Sequence, residues 1–296
     1  MDAKQFVLRV FKFSLLAIAV FLLPCIYFTV GLNQRHFYEM PEKKVIFIGD
    51  SRIETSVDDT KHTETINLAQ SAESYLYSYI KLKKMLAINP QVKMVVLSFS
   101  DLNLYEDMED WYFKNQPLQF KVSNFLFLMP ASEIRLLLRN NFKVTIAGIL
   151  DYPKFKFDVY KNMKPGDKIN TLGVGRYEPI YGIKWKSPKP GELESKMRPD
   201  SFRYSKHQLI YLDKIFEMCK QANVELVFHS TPLHHSFQTG SRFSDSIHAA
   251  KYPMVKYMDY TSMNYPDSCF GDYEHLNYQG SQQFSDTLLR ALGLGR

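Results

Sequence analysis

Val45-Ile46-Phe47-Ile48 runs without a polar residue into Gly49-Asp50-Ser51. Four consecutive large apolar residues are the pattern of a strand buried on both faces, as in a parallel sheet covered by helices. Gly-Asp-Ser then reads as a strand-to-helix turn that would expose the serine hydroxyl at the carboxyl end of the strand. On its own the tripeptide is ordinary turn chemistry. A second segment far along the chain, Asp272-Tyr273-Glu274-His275 followed by Leu276-Asn277, adds an imidazole and a carboxylate just before a final amphipathic stretch. Alone it equally describes a helix-start carboxylate near a surface histidine. A serine hydroxyl is a poor nucleophile at neutral pH and needs a histidine to accept its proton and a carboxylate to hold that histidine in the right tautomer. Ser51, His275 and Asp272 supply these three groups.

Working outward, the same alternation recurs. A second short strand ends at Leu68. Residues 71–89 place Leu76, Tyr79, Ile80, Leu82, Met85 and Leu86 at helical spacing and close on Pro90, and residues 94–99 form another buried strand. After a long break, Leu209, Leu212, Ile215, Phe216 and Cys219 form a helical stripe over 205–222. Residues 224–228 read as a strand, 256–260 as a weak last strand and 278–292 as a closing helix. Short apolar strands alternating with amphipathic helices predict a three-layer α/β/α fold around a roughly five-stranded parallel sheet.

The two end blocks in this order resemble the SGNH (GDSL-type) hydrolase superfamily, over roughly residues 44–292. Among its branches the chain is most similar to the membrane-anchored proteins related to DltD and AlgX/AlgJ, which act in polymer O-acylation. The resemblance implies Ser51 as nucleophile with Asp272 and His275 from the last block. It also implies an oxyanion hole built from the N–H of Ser51 and two intermediate blocks. Thr65-Ile66-Asn67-Leu68-Ala69-Gln70-Ser71-Ala72 stands where the family has an Asn-Leu-Gly-x-Ser-Gly type of loop, with Ala72 in place of a glycine. Its N–H serves if the backbone angle there is negative. The next block, usually Gly-x-Asn-Asp, is Ser98-Phe99-Ser100-Asp101-Leu102-Asn103 here. Asn103 is either the side-chain donor or a loop-capping residue. Asn67 is expected beside the substrate.

Residues 105–203 break the pattern. They are rich in aromatics and lysine, are cut into short pieces by Pro117, Pro130, Pro153, Pro165, Pro179, Pro188 and Pro190, offer one candidate helix over 130–140 and show no core of their own. An insertion after a sheet strand reads as a lid or acceptor platform over the active site. Trp111, Tyr112, Phe113, Tyr177, Tyr181 and Trp185 are either sugar-stacking rings or packing residues. The loop after the fourth strand, Ser230-Thr231-Pro232-Leu233-His234-His235, lies where ligands gather, so His234 and His235 are substrate-binding candidates and equally ordinary loop residues.

Ahead of the domain, residues 13–34 carry no charge and the stretch to Val30 is almost wholly apolar, long enough to cross a bilayer. The proline in Leu22-Leu23-Pro24-Cys25 argues against lipoprotein processing, and small residues for a cleavage site are scarce. An uncleaved signal anchor is therefore favoured over a cleaved leader. Lys4, Arg9 and Lys12 put the N-terminus in the cytoplasm and the main domain outside it, in the bacterial periplasm or at the cell surface. Arg35, Lys43 and Lys44 weaken that asymmetry. The layout expected is a cytoplasmic tail over 1–12, a transmembrane anchor over 13–32, a linker over 33–43 and the domain over 44–296.

A net charge of +6 without a basic run or a recognisable motif argues against nucleic-acid binding. Cys219 and Cys269 are one disulfide or two buried thiols. No Cys/His cluster has zinc spacing, and neither a metal nor a cofactor is expected. Three functions follow from the resemblance. The favoured one is serine-dependent O-acyl or O-acetyl transfer to a cell-envelope polysaccharide, with a multipass membrane acyltransferase as partner. A carbohydrate esterase or deacetylase of the same fold is the second. A catalytically silent polysaccharide-binding scaffold is the third.

Overall fold

The structure, a computed structural model, describes residues 2–32, 34, 38–106, 109, 113, 114, 116–162, 175–183, 203–237 and 242–294. It divides into two compact units, one of Glu39–Asn115 with Val174–Arg296, the other of Met1–Tyr38 with Gln116–Gly173.

The first unit is the α/β domain. Its strands are β1 (Val45–Ile48), β2 (Thr65–Asn67), β3 (Met94–Ser98), β4 (Glu225–Ser230) and β5 (Lys256–Asp259). They form one parallel sheet in the order β2-β1-β3-β4-β5. Because side chains alternate across a strand, the register decides the two cores. Phe47 pairs with Val96 and Val96 with Val227, and these three share a buried cluster with Ile53 of α2 (Ser51–Ser56) and with Val57, the C-cap of that helix. Phe284, Leu288 and Leu289 of the C-terminal helix, Tyr278–Ala291, join the same cluster. Ile46 and Val95 point the other way. There α3 (Tyr75–Ile88) packs against a second long helix, Lys206–Gln221. Each fully buried side chain of this kind contributes roughly 1.5–3 kcal/mol.

β1 and β3 approach so closely at their carboxyl ends that only glycine fits between them. A Cβ at Gly49 would stand 2.3 Å from the Ser98 Cβ, and Gly49 has φ +142°. Behind the next loop, Lys81 of α3 is fully buried and donates to the Glu73 carboxylate and to the Leu68 carbonyl oxygen. Burial pulls the Lys81 pKa down even with Glu73 alongside. The pair fixes the start of α3 to the loop leaving β2.

The five strands, the α3 stripe and the two later helices lie where the sequence pattern predicts them, within a few residues. α3 starts later than expected because residues 71–74 form a turn closed by Ser74 at the helix N-cap. A further helix, Phe243–Lys251, lies between the last two strands, outside the elements that the sequence pattern predicts. Cys219 and Cys269 are both free and buried, so the two-thiol alternative holds.

The second unit begins with α1, Ala3–Leu32, which is long and apolar enough to cross a membrane and is helical through most of the expected 1–12 tail. The expectation that the insertion has no core is corrected here. After α4 (Asp101–Leu104) in the first unit come α5 (Gln116–Phe125), α6 (Ala131–Asn140) and α7 (Phe142–Asn162). α7 packs against α5, α6 and α1. Leu118, Val122, Phe125, Leu137 and Tyr152 are buried. Two of the prolines taken as breaks lie inside helices: Pro117 in the first turn of α5, where its missing N–H costs nothing, and Pro153 in α7. In chain order the helices after α7 are α8 (Lys206–Gln221), α9 (Phe243–Lys251) and α10 (Tyr278–Ala291).

Candidate active site

Ser51 is the first residue of α2, and Asp50 is its N-cap, with the carboxylate accepting from the Arg52 N–H at 3.1 Å. This capping turns the chain sharply out of β1 and leaves the Ser51 side chain at the carboxyl edge of the sheet. The second segment is folded by its own aspartate. Asp272 Oδ1 accepts from the backbone N–H groups of Glu274 and His275, each at 2.9 Å, a local turn that brings the His275 ring back over the carboxylate. Gly271 N–H donates to the His275 carbonyl oxygen at 2.8 Å. Asn277 caps α10 through Gly280 N–H and donates to the Ser268 and Phe270 carbonyl oxygens.

The two segments meet. His275 Nδ1 lies 2.8 and 2.9 Å from the two Asp272 carboxylate oxygens, and His275 Nε2 lies 2.8 Å from Ser51 Oγ. A carboxylate only accepts, so Nδ1 carries the proton and donates it, and Nε2 is left to accept from the Ser51 hydroxyl. Burial presses the His275 pKa down, but the hydrogen bond and charge of Asp272, with the charges of Glu274 and Asp50, outweigh it and the net shift is upward. Burial pushes the Asp272 carboxyl up, and the bonds from His275 and the two backbone N–H groups bring it below its ordinary value.

Beneath the serine lies a buried polar network that sequence reasoning missed. Arg52 donates through Nε and Nη2 to the Asp50 carboxylate and through Nη2 to Asn103 Oδ1 at 3.0 Å. Asn103 Nδ2 donates to Asp50 Oδ2 at 2.8 Å, and Asn103 Oδ1 also accepts from the hydroxyls of Ser98 and Ser100. Burial raises the Asp50 pKa, but the Arg52 charge and these bonds more than reverse it. An arginine directly after a candidate nucleophile, with an asparagine in the short helix after the next strand but one, was the available signal.

Several expected roles are corrected by this geometry. Asn103 is drawn into the clamp on Asp50, one hydrogen of its amide nitrogen donating to that carboxylate and the other remaining for a second acceptor. Ala72 does not have the negative angle required of it; its φ is +54°, the left-handed region that glycine enters freely and alanine holds at a cost of about 1 kcal/mol. Asn67 is fully buried. Its Nδ2 donates to the Ile53 and Val57 carbonyl oxygens at the end of α2 and its Oδ1 accepts from Ala69 N–H, so it is a structural cap and not a substrate ligand. His234 is 1% exposed. Its Nδ1 accepts from Ser236 N–H, its Nε2 donates to Asp267 at 3.2 Å, and its ring stands edge-on to Phe270 and Tyr273. It props the loop carrying Asp272 and presents no nitrogen to a substrate. His235 beside it is exposed, near the same Asp267.

Further support comes from Glu54, whose buried carboxylate accepts from the Ser71 N–H and hydroxyl and so ties α2 to the loop before Ala72. Part of the insertion, residues 175–183, is stitched across the same three segments. Arg176 N–H donates to the Ala69 carbonyl oxygen, Glu178 N–H to that of Glu54, and Tyr278 N–H to that of Ile180. Gly175 permits the approach, since a Cβ there would sit 2.2 Å from the Leu68 oxygen. Of the six aromatic candidates, Phe113 is buried and Tyr177 is bonded to Ser281. Tyr181 is exposed and stacked on Tyr278 at 5.4 Å. Trp111, Tyr112 and Trp185 lie outside the described residues.

A serine, an imidazole and a carboxylate joined in series at the carboxyl edge of an open parallel sheet form the hydrogen-bonding arrangement of a Ser-His-Asp triad. No protein-family model matches the chain, and no curated protein matches it in sequence. Among solved structures the chain is similar to a Bacteroides fragilis protein provisionally described as an acylhydrolase. The identity is 11% and the TM-score 0.39, over 88% of this chain and 92% of that one. It is also similar to a GDSL-like lipase from Bacteroides thetaiotaomicron, at 10% identity and a TM-score of 0.37, over 88% and 98%. At these values the chemical reading of the site rests on its own geometry.

Proposed function

We propose that the chain is a serine-dependent esterase or O-acyltransferase working through an acyl-Ser51 intermediate. The observation that carries this is the unbroken relay of hydrogen bonds from Ser51 Oγ through His275 to Asp272. In the proposed cycle Ser51 Oγ attacks an ester carbonyl while its proton passes to His275 Nε2, and Asp272 stabilises the imidazolium. The tetrahedral oxyanion is received by N–H donors, for which the Ser51 backbone and the second amide hydrogen of Asn103 are the candidates. Its collapse breaks the ester bond, and the leaving alkoxide takes the proton from His275. A second hydroxyl, deprotonated by the same imidazole, then attacks the acyl-serine and frees it.

For the second hydroxyl we propose an envelope polysaccharide, making the enzyme an O-acyl or O-acetyl transferase tethered by α1 outside the cytoplasm, with a multipass membrane acyltransferase supplying acyl groups. The apolar α1 and the exposed stacked pair of Tyr181 and Tyr278 support it. With water as the acceptor the same cycle is that of a carbohydrate esterase. The silent polysaccharide-binding scaffold draws support from one observation, the positive φ of Ala72 in the loop expected to help hold the oxyanion.

Wild type and Ser51→Ala are compared on an activated acetyl ester, with mass spectrometry of the trapped protein. The expected result is an acetyl adduct on the peptide holding Ser51, and a loss of at least about 1,000-fold in turnover in the variant. Equal rates in the two proteins sink the catalytic reading and leave the scaffold. Adding an oligosaccharide acceptor then separates the chemistries: faster release of the acyl group to sugar than to water supports transfer, and release to water alone makes the protein an esterase.

A further inference from the structure

α7 has two apolar faces, and packing explains only one of them. At about 100° of rotation per residue, Thr145, Gly148, Tyr152 and Lys156 fall on one side, and all four are buried. Gly148 lets α5 come close, since a Cβ there would lie 2.7 Å from Val122 Cβ. Lys156 on this side donates to Asn124 and stands 4.4 Å from the centre of the Phe127 ring. The adjoining sector holds Phe142, Leu150 and Phe157 within about 80° of arc, with Ile146 and Pro153 among them. Phe142, Leu150 and Phe157 are 67%, 58% and 55% exposed. Bare aromatic and branched side chains aligned on one stripe mark a surface that something apolar covers.

Two further observations say what covers it. The next sector round the helix is a row of exposed lysines, Lys143, Lys154 and Lys161, and only beyond them come Asp151 and Asp158. An apolar stripe bordered by lysines is the pattern of a helix seated in the headgroup layer of a membrane, its ring and branched side chains in the acyl boundary and its ammonium groups at the phosphates. The stripe is also continuous with α1. Phe157 meets Phe28 at 6.4 Å between ring centres, and the hydroxyls of Tyr152 and Thr29 are 2.9 Å apart. Phe28 and Thr29 belong to the last turn and a half of α1, where a helix spanning from its cationic start emerges from the hydrocarbon.

We propose that α7 is a second membrane contact: an interfacial helix whose Phe142-Leu150-Phe157 stripe sits in the outer headgroup layer of an anionic bilayer beside the end of α1. The proposal rests on α1 being retained as a membrane span and is independent of chemistry at Ser51. Lipid anchorage is then not a single flexible tether. The α5–α7 unit is held against the surface by apolar burial, and electrostatic attraction contributes on the order of 1 kcal/mol per lysine near the headgroups.

The test uses the full chain with Cys25→Ala, Cys219 and Cys269 being buried and shielded from labelling. Single cysteines at Phe142 or Leu150, at Leu16 in α1, and at Met254, which is 90% exposed in the other unit, are labelled with an environment-sensitive fluorophore. Each protein is reconstituted in vesicles of phosphatidylcholine with or without phosphatidylglycerol, containing lipids spin-labelled near the headgroup or deep in the chain. Probes at 142 and 150 are expected to shift to the blue and to be quenched about twofold more by the shallow label than by the deep one. The probe at 16 should follow the deep label, and the probe at 254 neither. Replacing Lys143, Lys154 and Lys161 together by Gln should remove the extra quenching that phosphatidylglycerol brings. Quenching at 16 with solvent-like probes at 142 and 150 overturns the interfacial helix while leaving the anchor. Solvent-like probes at all positions overturn both, and neither result bears on turnover at Ser51.

Discussion

The tautomer that Asp272 imposes on His275 makes two pH-dependent predictions at the scale of single residues. The base works only when Nε2 is unprotonated, and Asp272 holds the His275 pKa above its ordinary 6.5. Ester turnover is therefore expected to fall as pH drops through a value above 6.5. In Asp272→Asn the bond and charge of Asp272 are gone and only the charges of Glu274 and Asp50 oppose burial, so the acid limb of the pH–rate profile should move down. The plateau should fall about 10,000-fold, because the ring is no longer held with Nε2 free. An acid limb that stays in place in the variant would show that another group titrates. His229 acts on stability instead. It is fully buried at the end of β4, its ring nitrogens have no hydrogen-bond partner among the described residues, and burial pulls its pKa to about 3. The unfolded chain binds a proton there below about 6.5 and the folded one does not, so its contribution to stability is intact above 6.5 and declines as pH falls toward 3. His229→Leu should match or exceed the wild type in urea midpoint at pH 7. Its advantage should widen with acidity by up to about 1.4 kcal/mol per pH unit.

At the scale of elements, β1 and the turn after it are the most constrained piece of the fold. Gly49→Ala places a methyl carbon against Ser98 and forces a non-glycine residue to φ +142°, so a loss of more than about 3 kcal/mol, read by chemical denaturation, is expected. An unchanged midpoint would mean that β3 yields there. This piece was also the most legible in the sequence, because a run of four apolar residues and a glycine report local physics: burial on both faces and a backbone that L side chains avoid. The stripes of α3, α8 and α10 were legible for the same reason. What could not be read depends on partners distant in sequence. Asn67, Asn103 and His234 are polar residues at loop positions, and only the fold shows that their amide or imidazole groups are absorbed by α2, by Asp50 and by Asp267. In the α5–α7 unit only α6 was legible, as a candidate helix over 130–140, while α5 and α7 were hidden by their prolines. Pro117 falls in a first turn where it is harmless and Pro153 is tolerated inside α7, so neither breaks a helix.

On the scale of the whole molecule, the triad is assembled from two segments, and the strap at 175–183 fastens the three pieces that surround it. Main-chain bonds from Arg176, Glu178 and Ile180 to Ala69, Glu54 and Tyr278 give residues of no chemical consequence a hold on α2, the loop after β2 and the start of α10. Their donors and acceptors are backbone atoms, so side-chain replacement at Arg176 or Glu178 leaves the strap intact. The span of 224 residues between Ser51 and His275 has a consequence for biogenesis. Ribosomes deliver the hydroxyl early and the imidazole late, so a half-made polypeptide emerging into the cytosol or threading through a translocon carries an idle serine. Under the proposed mechanism, whatever esters it meets on that journey are safe from it, and competence arrives only when the distal stretch has emerged and docked.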